Sequence, residues 1–109
     1  TGLEVVALGG EPGVYSARYA GPERSSAANV AKLLHELATQ PDRRARFRTV
    51  IALVEQDGGA REFSGEVNGV IATLPIGHGG FGYDPVFVPF EGDGRTFAEM
   101  TLPEKNMIS

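Results

Sequence analysis

The sequence predicts an α/β fold of the mixed α+β kind in a single domain spanning residues 1–109. Three observations carry that reading: a hairpin pattern over residues 47–71, an amphipathic helical repeat after Ser25, and a capping box opening a second helix at Thr101. With 41% hydrophobic and 22% charged residues in a chain of 109, the composition is that of a globular domain able to bury a core.

Taken in order, residues 3–8 are strand formers, closed by the turn-rich run Gly9-Gly10-Glu11-Pro12-Gly13. Residues 14–19 read as extended or irregular. Gly21-Pro22 then breaks the chain before a helix that either Ser25 or Ser26 can cap. Val30, Leu33, Leu34 and Leu37 give that helix one apolar face, Lys32, His35 and Glu36 lie mostly on the other, and Pro41 is expected to stop it. Residues 47–54 are rich in β-branched and apolar side chains, and Asp57-Gly58-Gly59 signals a tight turn. Phe63, Gly65, Val67 and Gly69 then alternate with Glu62, Ser64, Glu66 and Asn68, which predicts an antiparallel hairpin. Val86-Phe87-Val88 is expected as a short buried strand, and residues 91–95 as a polar loop. In Thr101-Leu102-Pro103-Glu104 the threonine and glutamate form a capping box, with Pro103 in the first turn where its missing N–H costs nothing. The chain is expected to end within that helix.

The net charge of −4 gives no general attraction for nucleic acid or an anionic membrane. No apolar run approaches the ~20 residues that span a bilayer, and a cytoplasmic protein is expected. With no cysteine, disulfides, thiolate metal sites and a cysteine nucleophile are excluded. The opening on Thr1 and the ending on Ser109 both read as cut, so a fragment is expected.

The most informative stretch is His78-Gly79-Gly80-Phe81-Gly82-Tyr83-Asp84-Pro85-Val86-Phe87. Glycines shape the loop, and in extended backbone Phe81 and Tyr83 would point the same way. Aromatic faces stack on nucleobases. A carboxylate at the base edge accepts from a purine N1–H and opposes adenine, so Asp84 would select 6-keto purines. The other reading is a plain turn, with Phe81 in the core and Asp84 as an Asx-type turn residue. Lys105 matters only if its helix start faces this loop, where its ammonium could meet a keto oxygen or a phosphate. Arg43, Arg44, Arg46 and Arg48 read as a solvated helix-to-strand connection, Arg18 is open between an ion pair and a phosphate contact, and His35 is a surface residue. His78 adjoins the loop, and the two histidines are too far apart to argue a zinc site. Spacing supports no complete catalytic set and no metal site.

Gly80-Phe81-Gly82-Tyr83-Asp84-Pro85 with Phe87, residues 96–100, Glu104-Lys105-Asn106 and Ile108-Ser109 together resemble the second half of the inosine/xanthosine triphosphate pyrophosphatases. Thr1-Gly2-Leu3 and Pro12-Gly13-Val14-Tyr15-Ser16-Ala17-Arg18-Tyr19 resemble earlier segments of the same family, in the right order. The resemblance implies hydrolysis of deaminated purine nucleoside triphosphates such as ITP, dITP and XTP to monophosphate and pyrophosphate, with Mg2+. It implies a curved mixed sheet with packed helices, this chain forming mostly one lobe of two, and a homodimer. Substrate-binding positions carried over are Thr1, Phe81, Gly82, Tyr83, Asp84 and Lys105. The family's phosphate loop, metal-binding glutamate and paired aspartates precede the segment matched by Thr1, so no catalytic or metal-ligating residue is assigned, and this chain alone is expected to hydrolyse nothing. The alternative is a non-catalytic nucleotide-binding or dimerisation module on the same scaffold.

Overall fold

The computed structural model describes residues 2–108, so the expectations placed on Thr1 and Ser109 lie outside the described residues. Strands β1 (Gly2–Val5), β2 (Arg44–Val54), β3 (Ala60–Ile71) and β4 (Phe87–Pro89) form one sheet in that order. Each neighbouring pair is antiparallel, where the resemblance implied a mixed sheet. The α/β class holds. The reason for the difference lies in the connections: the segment carrying α1 (Ser26–Glu36) returns the chain beside β1 in the opposite direction, and no described crossover sets two strands parallel.

The hairpin is the longest feature, in register from Arg44 opposite Val70 to Val54 opposite Ala60. Its turn is closed by Glu55 N–H to Gly59 O at 2.7 Å and by Gly59 N–H to the Asp57 carboxylate at 2.8 Å. β1 supports β2 only from Ala45 to Arg48, and β4 supports β3 only from Gly69 to Ile71. Beyond them, among the described residues, the hairpin runs on as a two-stranded ribbon with Ile51, Leu53 and Phe63 about half exposed. The molecule measures 50 × 30 × 25 Å.

β1 ends at Val5 rather than continuing to Leu8. Gly9 and Gly10 take φ of 67° and 94°, and the Gly10 N–H returns to Val5 O at 3.0 Å, so Val6–Leu8 become a 3-10 turn. Gly13–Arg18 is likewise 3-10 rather than extended, anchored by the Ser16 hydroxyl donating to Gly13 O at 2.7 Å. Ser25 is the cap of α1, accepting from Ala28 N–H. Val30, Leu33 and Leu37 bury the expected face, while the helix stops at Glu36, ahead of Pro41, where a turn from Gln40 N–H to Leu37 O takes over.

One sheet face, α1 and the loops after β3 enclose the core, in which Leu3, Leu33, Leu37, Val86 and Phe87 have no exposed surface. Phe87 meets Phe47 edge-on at 4.6 Å and Phe97 at 5.2 Å between ring centroids. Val86 belongs to a 3-10 turn with Asp84, which moves β4 one residue later than expected. The arginine cluster is not a solvated connection. Arg44, Arg46 and Arg48 lie on β2, and Arg46 is paired with Glu4 at 2.7 Å and Glu66 at 3.2 Å. Arg43 donates to the carbonyls of Leu37, Ile71 and Ala72, clamping the end of α1 to the end of β3. Helix α2 (Leu102–Asn106) starts with the predicted capping box at Thr101 and Glu104, and ends at Asn106 before the last described residues. Among the described residues no helix is long and apolar enough to cross a membrane.

Candidate functional site

The glycine loop leads from β3 into β4 and lies against the segment 96–100. Gly79 N–H donates to Ala98 O at 3.0 Å, and the buried Thr96 hydroxyl donates to Ile76 O at 2.7 Å. Gly77, at φ 96°, lets this approach happen: a Cβ there would sit 2.6 Å from the Ala98 carbonyl carbon. The loop is thus held by its neighbours and is no free turn.

Its two rings part company. Gly82 has φ 58°, which breaks the extended alternation that would have set both on one side. Phe81 turns outward and is 81% exposed, whereas Tyr83 turns into the core and is 5% exposed. The Tyr83 hydroxyl donates to Ser16 O at 2.7 Å, and burial pushes its pKa up, with Tyr19 adding to the shift. Tyr83 still lines the cleft with its ring while anchoring the loop to the segment before α1.

Asp84 is buried, with 5% exposure, and its Oδ2 accepts from Phe81 N–H at 3.0 Å and from Lys105 Nζ at 2.6 Å. It therefore makes the local turn and carries a long-range ion pair as well. The Lys105 side chain is 14% exposed, not solvated, and its Nζ lies 5.2 Å from the Phe81 ring centroid and 5.6 Å from that of Phe97. The start of α2 does face the glycine loop. Two adjoining clefts, of about 280 Å³ and 360 Å³, share Phe47, Phe81 and Asp84 as walls.

Three supporting residues escaped sequence reasoning. Asn29 is buried in α1, its amide donating to Ser16 O and Ala17 O and its carbonyl accepting from Ala20 N–H. Ser16 accepts from Leu3 N–H at 2.9 Å, so β1, α1 and Tyr83 meet at one residue. The signal for Asn29 was an amide one turn before Leu33 on the apolar face of the helix. Arg95 grips Glu104 and so fixes the turn that precedes Lys105. Arg18 lies over the Tyr15 ring at 5.5 Å, His35 is exposed on α1, and His78 is exposed and outside the linings of both clefts.

Hydrogen bonds from Arg95, then from Thr101, hold the Glu104 carboxyl near pKa 2 against an ordinary 4.5. Because the folded value is depressed, the stability this group contributes is complete above pH 4.5 and lost as pH falls through about 2. Amide protection factors at Lys105 and Met107, taken relative to the intrinsic exchange rate at each pH, should fall over that window in the wild type. In Glu104→Gln protection should already be low at pH 5 and change less on acidification; identical profiles would remove Glu104 from the anchoring of α2.

Fold and cleft together describe an α/β protein with an exposed aromatic ring beside a largely buried lysine–aspartate pair. Comparison with known proteins makes the assignment particular: the Ham1 family profile matches residues 1–109, and the chain belongs to that family. It is 54% identical over 121 residues to the dITP/XTP pyrophosphatase of Chlorobaculum tepidum, covering 100% of this chain and 53% of that protein. The corresponding protein of Porphyromonas gingivalis is 56% identical over 110 residues, 56% of its length. Among solved structures, the Staphylococcus aureus Ham1 protein superposes with a TM-score of 0.94 at 47% identity, covering 99% of this chain and 56% of that one. A Mycobacterium abscessus nucleoside-triphosphatase / dITP/XTP pyrophosphatase gives 0.89 at 46% identity, covering 98% of this chain and 57% of that one. The chain spans about half the length of the curated relatives it matches.

Proposed function

We propose that this chain is the purine-recognising part of a pyrophosphatase acting on deaminated purine nucleoside triphosphates such as ITP, dITP and XTP. The observation that carries the reading is the Lys105–Asp84 pair at 2.6 Å beside the exposed Phe81 ring. Phe81 offers a stacking face worth about 1–3 kcal/mol per base. The Lys105 ammonium donates to a 6-keto oxygen and the Asp84 carboxylate accepts from N1–H, whereas adenine presents an acceptor at N1 and a donor at the 6-position. The names of the relatives agree with that chemistry. Gly82 and Tyr83 shape the cleft, and Thr1 is proposed as a further substrate contact.

In the proposed reaction water attacks the α-phosphorus and pyrophosphate leaves. Among the described residues no three histidine or carboxylate groups are placed to hold a metal ion, and Asp84 is committed to Lys105. On the family resemblance, we propose that Mg2+ and the base that activates water come from residues outside this chain, and no hydrolytic step is derived from its own. A homodimer and a cytoplasmic location belong to the same proposal; the half-exposed Ile51, Leu53 and Phe63 supply apolar surface for a second copy to cover.

Calorimetric titration with ITP and ATP tests the base reading. ITP should bind about tenfold or more tightly, the ratio one charge-assisted hydrogen bond supplies. Equal affinities would sink it, and robust pyrophosphate release by the 109-residue chain alone would sink the division of labour.

A further inference from the structure

Arg24 lines the cleft that holds Phe81, Tyr83 and Asp84, and nothing in the proposed function uses it. Its φ is 56°, the one positive φ outside glycine among the described residues. That left-handed conformation crowds a Cβ, and glycine would occupy it without strain. The turn that imposes it is local, with Arg24 N–H bonded to Gly21 O at 3.3 Å and Ser25 capping α1 immediately after. An exposed arginine is ordinarily solvated and placed on unstrained backbone. This one stands in a conformation that suits another residue, at the rim of the cleft.

The charge of the cleft sharpens the point. Asp84, the other charged group lining it, is neutralised by Lys105. The Arg24 guanidinium is exposed and, among the described residues, has neither hydrogen bond nor ion pair. A purine nucleotide whose ring sits against Phe81 would bring several negative charges to a site with one uncommitted cation at its edge. The guanidinium fork matches phosphate oxygens two at a time, which an ammonium does not.

Resting on the reading of this cleft as a purine-nucleotide site, we infer that Arg24 contacts the phosphate part of the bound nucleotide and sets the preference for phosphorylated over neutral purine ligands. Calorimetry with ITP and with the neutral nucleoside inosine, on wild type, Arg24→Gly and Arg24→Lys, tests it. Arg24→Gly should lose about tenfold in affinity for ITP, the loss of one charge-assisted contact, and keep its affinity for inosine. Its thermal midpoint should equal or exceed that of the wild type, because glycine relieves the left-handed backbone. Arg24→Lys should restore part of the ITP affinity. Unchanged ITP binding in Arg24→Gly, an equal loss for inosine, or a lowered midpoint would each overturn the inference while leaving the purine site intact. A wild type that binds neither ligand would overturn the site reading, and this inference with it.

Discussion

Asp84→Ala should destabilise the fold by about 3 kcal/mol, near the lower end of the range for breaking a buried ion pair. The lower end applies because Lys105, at 14% side-chain exposure, has a route to water that a sealed ammonium would lack. Two losses combine: the Phe81 N–H loses its acceptor, and the Lys105 ammonium beside the Phe81 and Phe97 rings loses the Asp84 carboxylate. Urea denaturation of Asp84→Ala, Lys105→Met and the double variant separates them. If losing the carboxylate from the ammonium is the main cost, the double variant will be more stable than Asp84→Ala. If both lose the same amount, the turn hydrogen bond is the larger contribution and the ion pair matters little for folding. Asp84→Asn adds a functional control, because its amide can donate as well as accept, and the preference for ITP over ATP should shrink.

Phe87→Ala should cost about 3–5 kcal/mol, a large share of the stability of an ordinary domain. Phe87 has no exposed surface and meets both Phe47 and Phe97 in a three-ring aromatic cluster. That cluster is also the floor of the clefts, since Phe97 lies beneath the Lys105 ammonium and Phe47 forms a wall of both. The loss should appear as a large fall in thermal midpoint, with Phe87→Leu recovering part of it. A wild-type midpoint for Phe87→Ala would mean that the hairpin and α1 are held together elsewhere.

Local rules recovered whatever local chemistry decides. The hairpin was legible because alternation over many residues has a single physical solution, and the two helix starts were legible because Ser25 and the Thr101–Glu104 box act within one turn. The failures share a cause as well. Alternation assumes extended backbone, and the positive φ at Gly82 sent Tyr83 inward and Phe81 outward. The turn at Gly9 and Gly10 likewise ended β1 three residues early. Of the site, the residue types were readable in the loop and in Glu104-Lys105-Asn106, yet their meeting was not. Asp84 and Lys105 are separated by 21 positions and are joined through the packing of segment 96–100, which no periodicity encodes. The Arg43 clamp and the Asn29–Ser16–Tyr83 junction are long-range in the same way.

The ribbon formed by the outer half of the β2–β3 hairpin has a consequence of another kind. Among the described residues no third strand flanks it, and two strands alone are marginally stable in water, so the tip can open without disturbing the supported half near β1 and β4. The Lys105–Asp84 pair belongs to the other cooperative unit, tied through Ala98 and Phe97 to the enclosed core. Sequence change is then unequally free along a single pair of strands. The tip can drift, lengthen or acquire a new contact surface while the root, which walls the cleft with Phe47, stays as it is.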